Sequence, residues 1–107
     1  MSDSAGVQGE WIASFPGMHR RTLADGDKLM LVQVRLSKGT VVPRHQHPNE
    51  QVTYVLSGHM RFKMNDQSAE LQAGETIHFP SNVPHEAHAL EDSLVLDTFS
   101  PPREDFR

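Results

Sequence analysis

From Lys28 onward, apolar and polar residues alternate with a period of two, and turn residues interrupt the alternation about every ten positions. A period of two fits a strand with one buried face, because successive side chains leave an extended backbone on opposite sides. Met30, Val32, Val34 and Leu36 fall on one face and Gln33 and Arg35 on the other, so Lys28–Leu36 reads as a strand ended by Ser37-Lys38-Gly39. Gln51–Leu56 is the next long strand, with Ser57-Gly58-His59 as a hairpin turn. Met60, Phe62 and Met64 then alternate with Arg61 and Lys63. Asn65-Asp66-Gln67 turns the chain into a strand at Ser68–Leu71, and Ala73-Gly74-Glu75 into another at Thr76–Phe79. The last strands fall within Leu90–Thr98, with Glu91-Asp92-Ser93 read as a hairpin, before Pro101-Pro102 ends regular pairing for want of N–H donors. No segment of ten or more residues carries a helical apolar period. A compact antiparallel all-β barrel follows, and 107 residues suit a single core. Residues 10–107 read as one domain behind a polar, Gly/Ser-containing tail at 1–9.

Seven histidines in this length are many. Two of them open the stretch His45-Gln46-His47-Pro48-Asn49-Glu50-Gln51. On an extended chain His45, His47 and Gln51 share one parity and can point into one cavity. His85, in Pro84-His85-Glu86, is a third candidate. Three neutral ring nitrogens and one amide oxygen suit a divalent transition metal with coordination positions left open, and Ni, Zn, Mn, Fe and Co all accept such donors. An isolated His-x-His pair is as readily two loop histidines held by Pro43 and Pro48. The frame Gly39-x5-His45-x-His47-x3-Gln51-x6-Gly58 followed by Gly74-x5-Pro80-x4-His85 favours the metal. His19 is expected to be solvated in a polar loop, His59 exposed after a turn glycine, and His78 outward between Ile77 and Phe79. His88 lies close enough to His85 to support the ligands.

Gly39–Gly58 and Gly74–His85 resemble the two motifs of the cupin superfamily, with the short spacing of its small members. The resemblance implies a double-stranded β-helix, a jelly-roll type barrel, with the metal inside. One departure has chemical content: Gln51 stands where the usual first motif has a glutamate, with Glu50 beside it at the wrong parity. An amide removes one negative charge from the ligand set. The ion then becomes a better Lewis acid toward an anionic or polyhydroxy ligand, and a ferric state loses a stabilising anion.

Toward the C-terminus, Val95, Asp97 and Phe99 share a face opposite Leu94, Leu96 and Thr98. A carboxylate in an apolar strand is costly to bury, so Asp97 is either structurally paired or tuned for proton transfer. Arg103 follows a rigid Pro-Pro and is either a surface arginine or a two-pronged clamp for a carboxylate. With the metal set, the arrangement Asp97-x-Phe99-x3-Arg103 resembles the small cupins of the pectin-degradation protein type over about residues 10–106. That resemblance implies His45, His47, Gln51 and His85 as metal ligands and Asp97, Phe99 and Arg103 as active-site residues. It also implies a homodimer and an activity that turns 4,5-unsaturated monouronates, released by pectin or alginate lyases, into linear 5-keto-4-deoxyuronates. Asp97 would then donate and accept the proton, Arg103 would hold the uronate carboxylate, and Phe99 would cover the sugar. Glu50, Tyr54 and His88 are candidates for supporting groups around that site, which the sequence does not rank.

Two rival readings use the same barrel: an iron-dependent dioxygenase of a small organic substrate, and a non-catalytic cupin that binds a sugar or acid. A net charge of −4, a pI near 5.9 and the lack of a basic run argue against nucleic acid and anionic membranes as partners. No apolar run approaches the roughly 20 residues of a membrane span, and the first residues lack the basic start and apolar stretch of a secretory signal. A cytoplasmic location is the default expectation. The absence of cysteine removes disulfides, thiolate ligands and cysteine nucleophiles from consideration.

Overall fold

The computed structural model describes residues 9–107, so the expected tail lies outside them except for Gly9, whose N–H donates to the Thr22 carbonyl at 2.8 Å. Ten strands form among the described residues: β1 (Ile12–Ala13), β2 (Met18–Asp25), β3 (Met30–Leu36), β4 (Val41–His45), β5 (Glu50–Ser57), β6 (His59–Met64), β7 (Gln67–Gln72), β8 (Thr76–Phe79), β9 (His85–Ala89) and β10 (Ser93–Ser100). A 3₁₀ turn spans Glu104–Phe106. All pairings are antiparallel. One sheet runs β1-β2-β3-β10-β5-β8 and the other β4-β9-β6-β7. The fold is all-β, as the alternation requires. Among the described residues no helix is long and apolar enough to cross a membrane.

The inward faces meet in one core. Met30, Val32, Val34 and Leu36 of β3 pack with Val55, Val95 and Phe99 of their own sheet and with Val42, Met60, Phe62 and Ala89 of the other. Each such side chain contributes about 1.5–3 kcal/mol when fully removed from water. Gly58 shows why the hairpin between β5 and β6 needs its glycine. Its φ is 94°, and a Cβ there would lie 2.2 Å from Ser93 Oγ and 2.4 Å from the Asp92 carbonyl oxygen.

Four strands, β1, β2, β4 and β9, were hidden from the alternation. Gly17–Arg21, expected as a loop, enters β2, and His19 is half-buried there opposite Arg35. The outer strands β1 and β2 contain few apolar residues, so they show no two-residue pattern. β4 and β9 are short, interrupted by prolines or flanked by them, and carry histidines where the pattern looks for aliphatics. His59 is half-buried rather than exposed, because its Nε2 sits 3.0 Å from Glu70. His78 faces outward as expected and pairs with Glu50 at 2.5 Å.

Register places the polar residues of the core. Met30, Val32 and Val34 lie opposite Phe99, Asp97 and Val95, and on the other side of β10, Asp97 and Phe99 lie opposite Thr53 and Gln51 of β5. β4 and β9 pair Val42 with Ala87 and then His45 with His85, so Pro43 and Arg44 together face Glu86 alone. This bulge inserts one residue and reverses the side-chain phase. Val42 points inward before it and His45 points inward after it.

Candidate metal centre

Between the sheets lies a cavity of about 460 Å³, within the range of small-molecule sites. His45, Gln51, Thr53, His85, Asp97, Phe99 and Arg103 all border it. His45 ends β4, His85 begins β9 directly across from it, and Gln51 belongs to β5 in the other sheet. His47 sits on the connection that crosses between them. The ligand candidates therefore do not converge along one extended strand, as parity alone suggested. A bulge, a crossing loop and a cross-strand pair bring them together.

The three imidazoles offer nitrogens within 4.8 Å of one another, and their ring centroids are 4.4 Å (His45–His85), 5.1 Å (His47–His85) and 5.7 Å (His45–His47) apart. Each Nδ1 donates to a backbone carbonyl two residues away: His45 to Pro43 at 2.8 Å, His47 to Asn49 at 2.9 Å, and His85 to Val83 at 2.9 Å. That sets one tautomer in all three rings and leaves every Nε2 as a bare lone pair. His85 Nε2 is buried with no hydrogen-bond partner. His47 Nε2 faces the Gln51 Oε1 at 3.0 Å, so two acceptors meet. Burial, followed by the charge of neighbouring Arg103 and His45, holds the His47 imidazolium below its usual range. Burial first, then the other two histidines and Arg103, push His85 down to about 4. Two imidazoles, His47 and His85, kept from charging by burial, an orphaned buried nitrogen and two opposed lone pairs about 3 Å apart all fit a divalent ion with bonds of about 2.1 Å. The triad could hold one, with Gln51 Oε1 as a fourth donor.

From Gln51 a hydrogen-bonded chain runs to the other end of the site. Its Nε2 donates to Thr53 Oγ1 at 2.9 Å, and Thr53 Oγ1 donates to Asp97 Oδ1 at 2.6 Å. Burial raises the Asp97 pKa to about 6, against the opposing pull of the Thr53 and Gln51 hydrogen bonds and the Arg103 charge. A carboxyl group in that range exchanges protons near neutrality.

Arg103 stands over the cavity on aromatic support, 5.2 Å from the Phe99 ring centre and 4.2 Å from that of Phe106. Its Nε and one Nη donate to Asp105 at 3.2 and 2.7 Å. The segment that presents it is tied to the metal loop by buried Asn49, whose Nδ2 donates to the Pro101 carbonyl at 2.6 Å and the Pro102 carbonyl at 3.3 Å. The same residue's carbonyl receives the His47 Nδ1 proton.

Six of the seven expected site residues therefore border one cavity, and the seventh, His47, adjoins it through the triad, its ring 5.7 Å from that of Phe99. The three supporting groups do not join them. Glu50 pairs with His78 on the outer face, Tyr54 lies on the same exposed face of β5, and His88 turns away from His85 to Glu86 at 2.6 Å. Parity explains all three: Gln51 and Thr53 point in, so Glu50 and Tyr54 point out, and His88 is out of phase with His85. Thr53 and Asn49 occupy the supporting places instead. Thr53 shares the parity of Gln51, but its position opposite Asp97 is known only from strand register.

The cupin domain family profile matches residues 32–99. The pectin degradation protein KdgF of Dickeya dadantii is 32% identical over 98 residues, covering 90% of this chain and 89% of that protein. The solved structure of KdgF from a Halomonas species superposes with a TM-score of 0.88 at 36% identity, covering 92% of this chain and 91% of that one. An RmlC-like cupin from Shewanella frigidimarina superposes at 0.89 and 33% identity, covering 95% and 92% of the two chains. The two-sheet barrel, the inward histidine triad and these matches agree: the chain belongs to the cupin family, among the members similar to the pectin degradation protein KdgF.

Proposed function

We propose that this chain is a metal-dependent enzyme that converts 4,5-unsaturated monouronates into linear 5-keto-4-deoxyuronates. The observation that carries the reading is the meeting, around one cavity, of a histidine triad, a carboxyl group with a raised pKa, and an arginine on aromatic support. Similarity to KdgF over nine-tenths of the chain supports the substrate class.

The reaction is redox-neutral. A cyclic enol ether bearing a hemiacetal hydroxyl opens to a keto-aldehyde, so one proton leaves oxygen, one arrives at carbon, and the ring C–O bond breaks. A divalent ion held by His45, His47, His85 and Gln51 supplies Lewis acidity toward substrate oxygens. Asp97 is the group for both proton movements, since a pKa of about 6 lets it take the hydroxyl proton and return one to carbon. Arg103 faces the uronate carboxylate, for which its planar fork is suited once substrate competes with Asp105. Phe99 walls the cavity beside His47 and keeps water from the reacting carbons.

Incubating the metal-loaded protein with unsaturated galacturonate and following the ultraviolet absorbance of the conjugated double bond tests the proposal. Loss of absorbance without oxygen consumption is the expected result. Absorbance that decays no faster than in buffer overturns the reaction, and stoichiometric oxygen uptake replaces it with the dioxygenase reading.

A further inference from the structure

Thr53 is 1% exposed and lies between the metal-ligand candidate Gln51 and the carboxyl group of Asp97. Its place follows from the sheet: two residues along β5 from Gln51, on the same face, and directly opposite Asp97 on β10. A hydroxyl has one proton to give and lone pairs to accept with. The Gln51 NH₂ group can only donate, so the Thr53 oxygen accepts there at 2.9 Å, and its single proton goes to Asp97 Oδ1 at 2.6 Å. This polarity governs both neighbours. With the NH₂ group turned to Thr53 and the Asp97 carboxyl group beside it, the other end of the amide, Oε1, must face the His47 Nε2 and the triad. With Oδ1 of Asp97 occupied by the hydroxyl proton, Oδ2 is the oxygen left to carry another.

We propose that Thr53 is a positioning residue, whose hydroxyl holds the Gln51 amide with its oxygen toward the histidines and caps Asp97 Oδ1, so that the transferred proton rides on Oδ2. The part concerning Asp97 rests on the reaction proposed above; the part concerning Gln51 does not. The identity of residue 51 acquires a second meaning. A glutamate there has no N–H to donate, so the Thr53 proton would be drawn to it and away from Asp97.

The test uses Co²⁺ as the probe, with its visible absorption bands reporting the ligand set, beside steady-state kinetics on unsaturated galacturonate. Thr53→Val keeps the shape and removes the hydroxyl, and Thr53→Ser keeps the hydroxyl. Loss of a group that orients a ligand weakens metal binding by about 10–100-fold, so Thr53→Val is expected to bind Co²⁺ that much more weakly and with altered bands. At saturating metal its kcat should fall at least about 10-fold with KM little changed, and Thr53→Ser should restore both. Folded Thr53→Val with wild-type Co²⁺ affinity and bands overturns the Gln51 part. Wild-type kcat in metal-saturated Thr53→Val overturns the Asp97 part. Should Thr53→Val not fold, Gln51→Glu decides: it is expected to keep Co²⁺ and lose kcat, and undiminished kcat overturns the proposal. If the wild-type protein leaves the uronate untouched, the reaction fails, while the Co²⁺ comparison still judges the role of Thr53 toward Gln51.

Discussion

At Asp97 two demands meet: burial raises its proton affinity, while Thr53, Gln51 and Arg103 keep ionisation within reach. A replacement that keeps the shape separates chemistry from packing. Asp97→Asn should lower kcat by about 10²–10⁴-fold, the usual cost of losing a general acid or base, with metal content and melting temperature near wild type. A stable, metal-loaded and fully active Asp97→Asn protein would end the mechanism. Arg103 acts on a different quantity. Removing a carboxylate clamp in Arg103→Ala should raise KM above all, and Arg103→Lys should recover little, because an ammonium cannot form the two parallel bonds of a guanidinium. Steady-state parameters for the two variants, measured side by side, separate the roles. Equal KM values for wild type and Arg103→Ala would remove the clamp.

Among the elements, β4 depends most on a local irregularity. The bulge at Pro43–Arg44 turns His45 inward to face its partner His85, and the Pro43 carbonyl, part of that bulge, takes the His45 Nδ1 proton. Deleting Pro43 and Arg44 together would remove the bulge, set His45 directly after inward-facing Val42 at the opposite phase, and send the imidazole to solvent. The shortened protein is expected to keep its β-type circular dichroism and to lose at least about 10-fold in Zn²⁺ affinity; unchanged affinity would show that the bulge does not aim the ligand. The same element marks the limit of what the sequence can reveal. Strands β3, β5, β6 and β8 were legible because one face of each is buried and apolar; the four expected ligands stood out because rare side chains recur within glycine-framed motifs, and Asp97, Phe99 and Arg103 because a carboxylate interrupts an apolar strand and an arginine follows Pro-Pro. His45 was found for a partly wrong reason, since its direction comes from a bulge and a loop crossing rather than from shared parity with Gln51. β2 escaped notice because its mostly half-buried residues, Met18–Asp25, carry no two-residue apolar alternation. Thr53 and Asn49 escaped because their partners, Asp97 and the Pro101 carbonyl, are distant in sequence and meet them only through register.

For the molecule as a whole, two buried titrations oppose each other in the metal-free state. His85 is held at about 4 against a usual 6.5, so its contribution to stability is full above 6.5 and is lost as pH falls toward 4. Asp97 is held at about 6 against a usual 3.8, so its contribution is full below 3.8 and is lost as pH rises through 6. Acidification from about pH 7 to about pH 5 therefore costs stability at His85 and returns about 1 kcal/mol at Asp97. Chelator-treated Asp97→Asn should lose about 1 kcal/mol more than the wild type over that interval, as read from denaturant midpoints. Identical losses would show that Asp97 ionises as freely in the folded chain as in the unfolded one. A different consequence follows from the strand order β3-β10-β5. The strand that joins the two longest inward-facing strands is made after the other nine, and its pairing of Phe99 with Met30 closes most of the chain into one loop. Pairings of that span form slowly, because the closure entropy is lost before the contacts repay it. During synthesis, then, a nascent chain that stops short of Ser93 has neither a sealed sheet nor Asp97. Closure of the sheet between β3 and β5 and the arrival of the Asp97 carboxyl group in the cavity therefore coincide in a single late event.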